Sequence, residues 1–200
     1  MRVLAVLFLI GCASDEPPMS SSSDVSSEHA ALSSDSVVDS DSDSDTDSDE
    51  AFIEALEALV DDLWYTSETD SLVRVVVVEG AGEPFPTRSS IRGVVAPVHV
   101  QEEGATELSE RFVAEWTAER FFDGLTQEQS WWDDAQREEG ERWQLVADAM
   151  FDKLEPLTVF RLGEHESSSG DEVEGVIDVY VVGASASGDL IGLHMLSVET

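Results

Sequence analysis

Cysteine occurs once in this 200-residue chain, at Cys12, and lysine plus arginine together number only ten. A single cysteine excludes an intrachain disulfide and any cysteine-based metal site. The shortage of basic residues against 44 acidic ones gives a formal charge of -34. Such a chain is disfavoured as a binder of nucleic acid or anionic lipid, so no direct nucleic-acid contact is expected. No apolar run is long enough to span a bilayer. The longest stretch of that kind, Val3 to Ile10, would cover about 12 Å as a helix against a hydrocarbon core of roughly 30 Å. Catalytic signatures are missing too. There is no Gly-x-Ser-x-Gly elbow, no His-Glu-x-x-His and no Walker loop, and the Gly183–Gly188 stretch is followed by Asp189, which would repel phosphate. No cofactor and no enzymatic activity are expected. A hydrolase built on paired carboxylates such as Asp133/Asp134 or Glu138/Glu139 finds no histidine companions; for each pair a solvated face is the commoner reading.

What is present begins with Met1-Arg2 and an apolar run ending in Leu9-Ile10-Gly11-Cys12. A charged start, a short apolar segment and a small residue before cysteine read as a signal peptide over residues 1–11. The last four residues resemble the bacterial lipoprotein cleavage box, which implies lipidation of Cys12. Ala13 follows where aspartate would suggest retention in the inner membrane, so the resemblance favours the outer membrane within the cell envelope. Residues 12–50 then form an acidic Ser/Asp tract, ending in DSDSDSDTDSDE at Asp39–Glu50. This composition buries too little surface to fold and is expected to be disordered. About 38 such residues reach roughly 35 Å as a flexible coil, with a ceiling on the order of 120 Å when stretched. The tract lacks the glycine and closing glutamate of an EF-hand loop, so no calcium site is expected.

From Ala51 the periodicity becomes helical. Phe52, Ile53, Leu56, Leu59, Val60, Leu63 and Trp64 share a stripe, and Asp47 with Glu50 has the spacing of a capping box. The valine-rich stretch 73–79 predicts an interior strand, 98–100 a short strand, and 112–116 another. Thr117 is placed to cap a helix over 118–125. After the polar loop 126–132, Trp143, Val146, Ala149, Met150 and Leu154 make the apolar stripe of a long helix that Pro156 ends. A strand at 158–162, a polar insertion at 164–174 and a closing hairpin follow. In that hairpin Val176, Asp178, Tyr180 and Val182 alternate with Ile177, Val179, Val181 and Gly183, so both faces are largely apolar and the strand is expected inside a covered sheet. His99 and His194 read as sheet-face residues. The pattern predicts an α/β domain over residues 51–200 with a mixed sheet. That domain is itself acidic, holding 32 acids and 9 bases, and its natural partner is a basic protein or a cation.

Chemistry-bearing groups gather in loops and at the last residue: Glu68, the turn Ser130-Trp131-Trp132-Asp133, and Thr200, whose hydroxyl and carboxylate suit a hard cation such as Mg²⁺. An exposed tryptophan in a loop is an interface anchor, although Trp131 or Trp132 serves equally well as a buried helix-start staple. Ser67-Glu68 before a valine-rich strand, Glu79-Gly80, Phe121-Phe122, the region around Trp131, Val159 to Glu164, Asp178 to Gly183 and Val198-Glu199-Thr200 occur in an order that resembles the nuclease A inhibitor family. That family blocks a sugar-non-specific, Mg²⁺-dependent nuclease in a 1:1 complex. The resemblance implies a three-layer α-β-α sandwich and an acidic substrate mimic. It implies Glu68 approaching the nuclease's metal site, Trp131 on the nuclease surface, and Thr200 ligating the partner's Mg²⁺. Ser130 stands where the family has an acidic residue, and the 164–174 insertion has no counterpart in its pattern. The other reading left open is a surface-displayed lipoprotein module that binds another basic protein or a cation.

Overall fold

The computed structural model describes residues 43–100 and 106–199. The signal segment, Cys12, most of the acidic tract and Thr200 lie outside the described residues. Helix α1, Asp43–Val60, starts ahead of the expected Ala51, so Asp47 and Glu50 lie within it rather than capping it. Phe52, Leu56 and Val60, one turn apart, are buried, and each contributes roughly 1.5–3 kcal/mol by leaving water. Truncating Leu56 to alanine would cost about 2–5 kcal/mol. Asp62, at φ 56°, turns the chain out of the helix, a left-handed position that aspartate tolerates better than most residues. Arg142 holds that end by donating to the carbonyl of Asp61 at 2.6 Å. Trp64, expected on the helical stripe, lies instead in β1 (Trp64–Tyr65) and is exposed.

Strand β1 pairs with β2 (Ser71–Leu72) as a small separate ribbon. The main sheet has five strands in the order β3-β7-β6-β5-β4. These are β3 (Arg74–Val78), β4 (Phe112–Thr117), β5 (Leu157–Glu166), β6 (Val173–Ala184) and β7 (Leu190–Glu199). All four pairings are antiparallel, not mixed as expected. The β5-β6-β7 meander dictates two of them, and the helical segment between Thr117 and Leu157 returns the chain beside β4. The valine run of β3 is an edge strand and not an interior one; only Val76 in it is buried. The stretch 98–100 forms no strand. It follows a short helix, α2 (Ile91–Val95), whose Ile91 and Val95 are buried. Residues 164–174 are not an insertion outside the fold, since they extend the β5–β6 hairpin through the pairings His165–Glu174 and Glu166–Val173.

Helix α3 (Ala118–Thr126) begins where Thr117 accepts a hydrogen bond from the Arg120 amide, as its sequence predicts. Helix α4 (Asp134–Lys153) buries Trp143, Val146, Ala147 and Met150. The alternation in β6 separates two apolar clusters. Ile177, Val179 and Val181 pack with Phe52, Leu56, Phe121, Trp143 and Met150 from the long helices. Tyr180 and Val182 pack with Ile91, Val95, Phe160 and Leu162. Among the described residues no helix is long and apolar enough to cross a membrane.

Candidate functional site

The loop between β1 and β2 carries Glu68, which is exposed. Ser67 shapes this loop locally, donating from its hydroxyl to the Thr69 carbonyl at 2.7 Å. The loop is also tied to the end of the sheet. The Leu196 amide donates to Ser71 Oγ at 2.8 Å and the Val198 amide donates to Ser67 Oγ at 3.4 Å. Glu68 is therefore carried on a segment stitched along the final residues of β7. Thr200 itself lies outside the described residues.

Trp131 sits at the tip of the α3–α4 connection and is 69% exposed. Trp132 is half-buried and meets Trp131 edge-on at 6.5 Å. Its ring lies on Gly140, where a Cβ would come within 2.7 Å of Trp132 Cζ3. The turn is held from below by a capping box. Asp133 accepts from the Gln136 amide at 2.9 Å, and Gln136 accepts from the Asp133 amide at 2.9 Å. Arg137 adds contacts to Glu128 at 2.9 Å and to the Trp132 carbonyl at 3.0 Å. An exposed tryptophan on a turn fixed this way loses little entropy on contact. Beside it is a cleft of about 400 Å³ whose walls include Thr66, Trp131, Trp132, Glu139 and Trp143. Thr66 belongs to the Glu68 loop, so that loop borders the Trp131 cleft on one side and β7 on the other. Partial burial raises the Glu139 carboxyl; Arg142 opposes the shift and Asp70 adds to it.

The end of β7 is held by a charged knot that no local pattern in the sequence indicates. Arg161, only 2% exposed, ion-pairs with Glu172 at 2.8 Å and with Glu199. Its guanidinium lies 4.1 Å from the Trp116 ring centroid, and that of Arg120 lies 3.9 Å from it. Glu172 accepts from Trp116 Nε1 at 2.9 Å and from Arg120 at 2.9 Å. Tyr65 stacks on Phe121 at 5.9 Å. Burial pushes its hydroxyl pKa up; Arg161 opposes this, Glu199 reinforces it, and a hydrogen bond with Ser197 lowers it again.

A second polar cluster is enclosed on the other face of the sheet. Asp178 pairs with Arg111, each 1% exposed, and its Oδ1 lies 2.7 Å from His194 Nε2. The His194 ring stacks on Tyr180 at 4.7 Å. Burial, then the charge of Asp178, pushes the Tyr180 hydroxyl up, with Arg111 opposing. His99 Nδ1 is 2.9 Å from Tyr180 Oη. His194 does lie on a sheet face as expected, whereas His99 follows α2 and lies in no strand. An aspartate in the middle of an apolar interior strand was the one sequence signal for this cluster.

A family model described as NuiA, nuclease A inhibitor-like protein, matches residues 50–200. No curated protein matches the chain.

Proposed function

Because the chain belongs to the nuclease A inhibitor-like family, we propose that its folded part inhibits a sugar-non-specific, Mg²⁺-dependent nuclease by occluding the active site as an acidic substrate mimic. Inhibitors act by binding and not by turnover, which agrees with a non-enzymatic chain. The observation that carries this reading is the placement of the Glu68 loop. Ser67 is bonded to Val198 near the chain's end, and the neighbouring Thr66 shares a cleft with exposed Trp131. An oxygen-donor tip and an aromatic anchor on one edge suit a basic, metal-containing groove.

In this reading Glu68 approaches the nuclease's metal site, Trp131 rests on the nuclease surface and Thr200 ligates the partner's Mg²⁺. Inhibition in this reading draws on the nuclease's own metal and on no catalytic cofactor of the domain. The family's α-β-α sandwich is the fold that goes with it, supported by apolar clusters on opposite faces of the sheet. Cys12 is the lipidated residue, and the acidic tract holds the domain off the outer membrane, with the lipid as its only membrane contact. The test is to add the purified protein, in excess and at low salt, to a digest by a sugar-non-specific nuclease. Slowed cleavage is expected, relieved by raising salt and weakened by deleting Thr200. Cleavage at an unchanged rate would overturn the proposal.

A further inference from the structure

His99, Asp178 and His194 come from three separate segments: the turn after α2, the middle of β6 and the middle of β7. One ligand-type atom from each lies within 4.8 Å of the other two. Their side chains are 5%, 1% and 7% exposed. We propose that this cluster is a binding site for one divalent transition-metal cation of the zinc class, ligated by His99, Asp178 and His194.

The donor set selects the ion. Two imidazoles and one carboxylate suit zinc and its neighbours, while Mg²⁺ and Ca²⁺ prefer all-oxygen shells. Metal–ligand bonds of about 2.0–2.1 Å at tetrahedral angles place ligand atoms about 3.3 Å apart. Asp178 Oδ1 is 2.7 Å from His194 Nε2 and 3.7 Å from His99 Nδ1. The first distance opens and the second closes by roughly half an ångström, which is within side-chain adjustment. The 3.7 Å separation is too long for a hydrogen bond, so a cation replaces weak contact there with ligation. Binding through His194 Nε2 requires its proton to move to Nδ1 or to solvent. His99 in turn exchanges its bond to Tyr180 for the metal.

The second shell is already built. Arg111 occupies Asp178 Oδ2, leaving Oδ1 directed at both histidines, and also donates to the Leu162 carbonyl at 3.2 Å and the Thr106 carbonyl at 3.1 Å. Such outer partners orient ligating carboxylates. The Arg111 charge opposes a cation, and the net negative charge of the domain draws one in. A cleft of about 250 Å³ bordered by His194, Asp70, Arg74 and Val100 lies on the His194 side of the cluster. With three protein ligands the fourth tetrahedral position falls to a water, and the ion ties the α2 turn to the sheet.

The test titrates chelator-treated full-length protein with Zn²⁺, following the unfolding midpoint and binding stoichiometry, and with Co²⁺, following visible absorption. One ion per chain, a raised midpoint and an intense tetrahedral Co²⁺ spectrum are expected. His194→Gln should weaken binding by roughly 100-fold or more, since even outer-shell changes cost 10–100-fold. His99→Gln, at the turn and outside the sheet, should do the same in a chain that stays folded by circular dichroism. Binding that is absent, non-saturating, or unchanged in the folded His99→Gln protein would overturn the proposal by assigning any bound metal to surface carboxylates. A weak, octahedral Co²⁺ spectrum would overturn it as well.

Discussion

Replacing Arg161 with leucine removes a guanidinium that is 2% exposed and has two carboxylate partners, Glu172 and Glu199. Breaking a fully buried pair by removing one member costs about 3–5 kcal/mol. The partners here are 32% and 43% exposed, so they rehydrate, and Glu172 keeps Arg120 at 2.9 Å. The ionic part therefore falls towards the ~0–1 kcal/mol of exposed pairs. Loss of the stack on Trp116, at 4.1 Å, adds about 0.5–2 kcal/mol. A net loss of about 0.5–3 kcal/mol is expected, which for a domain of this size lowers Tm by roughly 1–12 °C. Thermal unfolding followed by circular dichroism measures it. Arg161→Lys should recover only part, because lysine keeps the charge without the planar fork. A double-mutant cycle with Glu199→Gln should show coupling, and the coupling should shrink in 1 M salt, where the Debye length is about 3 Å. In the proposed inhibitor the same substitution should also weaken inhibition, since Arg161 anchors the residue before Thr200. A leucine variant as stable as the parent would refute the reasoning, for then leucine packing offsets all that the ionic knot contributes.

Trp131→Ala should leave stability within about 0.5 kcal/mol, as an exposed site should, while inhibition weakens by about 30-fold or more, the effect of an interface anchor; equal inhibition by parent and variant would remove Trp131 from the interface. Glu164 accepts from the Val176 amide at 3.3 Å. This bond, against an opposing effect of burial and with help from Thr106 and Arg111, lowers its carboxyl below the ordinary 4.5. A lowered carboxyl contributes stability above that ordinary value and loses it as pH falls through the folded-state value. Urea unfolding between pH 6 and pH 3 should therefore show a shallower acid-side decline in Glu164→Gln than in the parent.

Several features were legible because they depend on residues close together in the chain. The Thr117 cap involves a residue three positions on, the α4 stripe repeats every turn, and the alternation in β6 marks a strand covered on both faces. The family resemblance was legible for the same reason, being carried by short ordered runs from Ser67-Glu68 to the end of β7. The start of α1 at Asp43 rather than Ala51 escapes the sequence because an Asp/Ser tract has the composition of a solvated linker and its helix begins without an apolar stripe. The run Val75–Val78 says that a strand forms and nothing about its neighbours; only the pairing with β7 alone puts β3 at the edge.

Composition and periodicity, which are local quantities, already carry the acidic character, the exclusion of an intrachain disulfide, the long helices and the closing hairpin. Which distant groups meet is set by how the strands and helices pack. The amide of Val198 reaches Ser67, Arg161 reaches Glu199, and His99 comes to the side of Asp178 and His194. Those encounters follow from strand order and from where α2 lands on the sheet. They bring together residues dozens of positions apart, beyond the reach of any spacing rule.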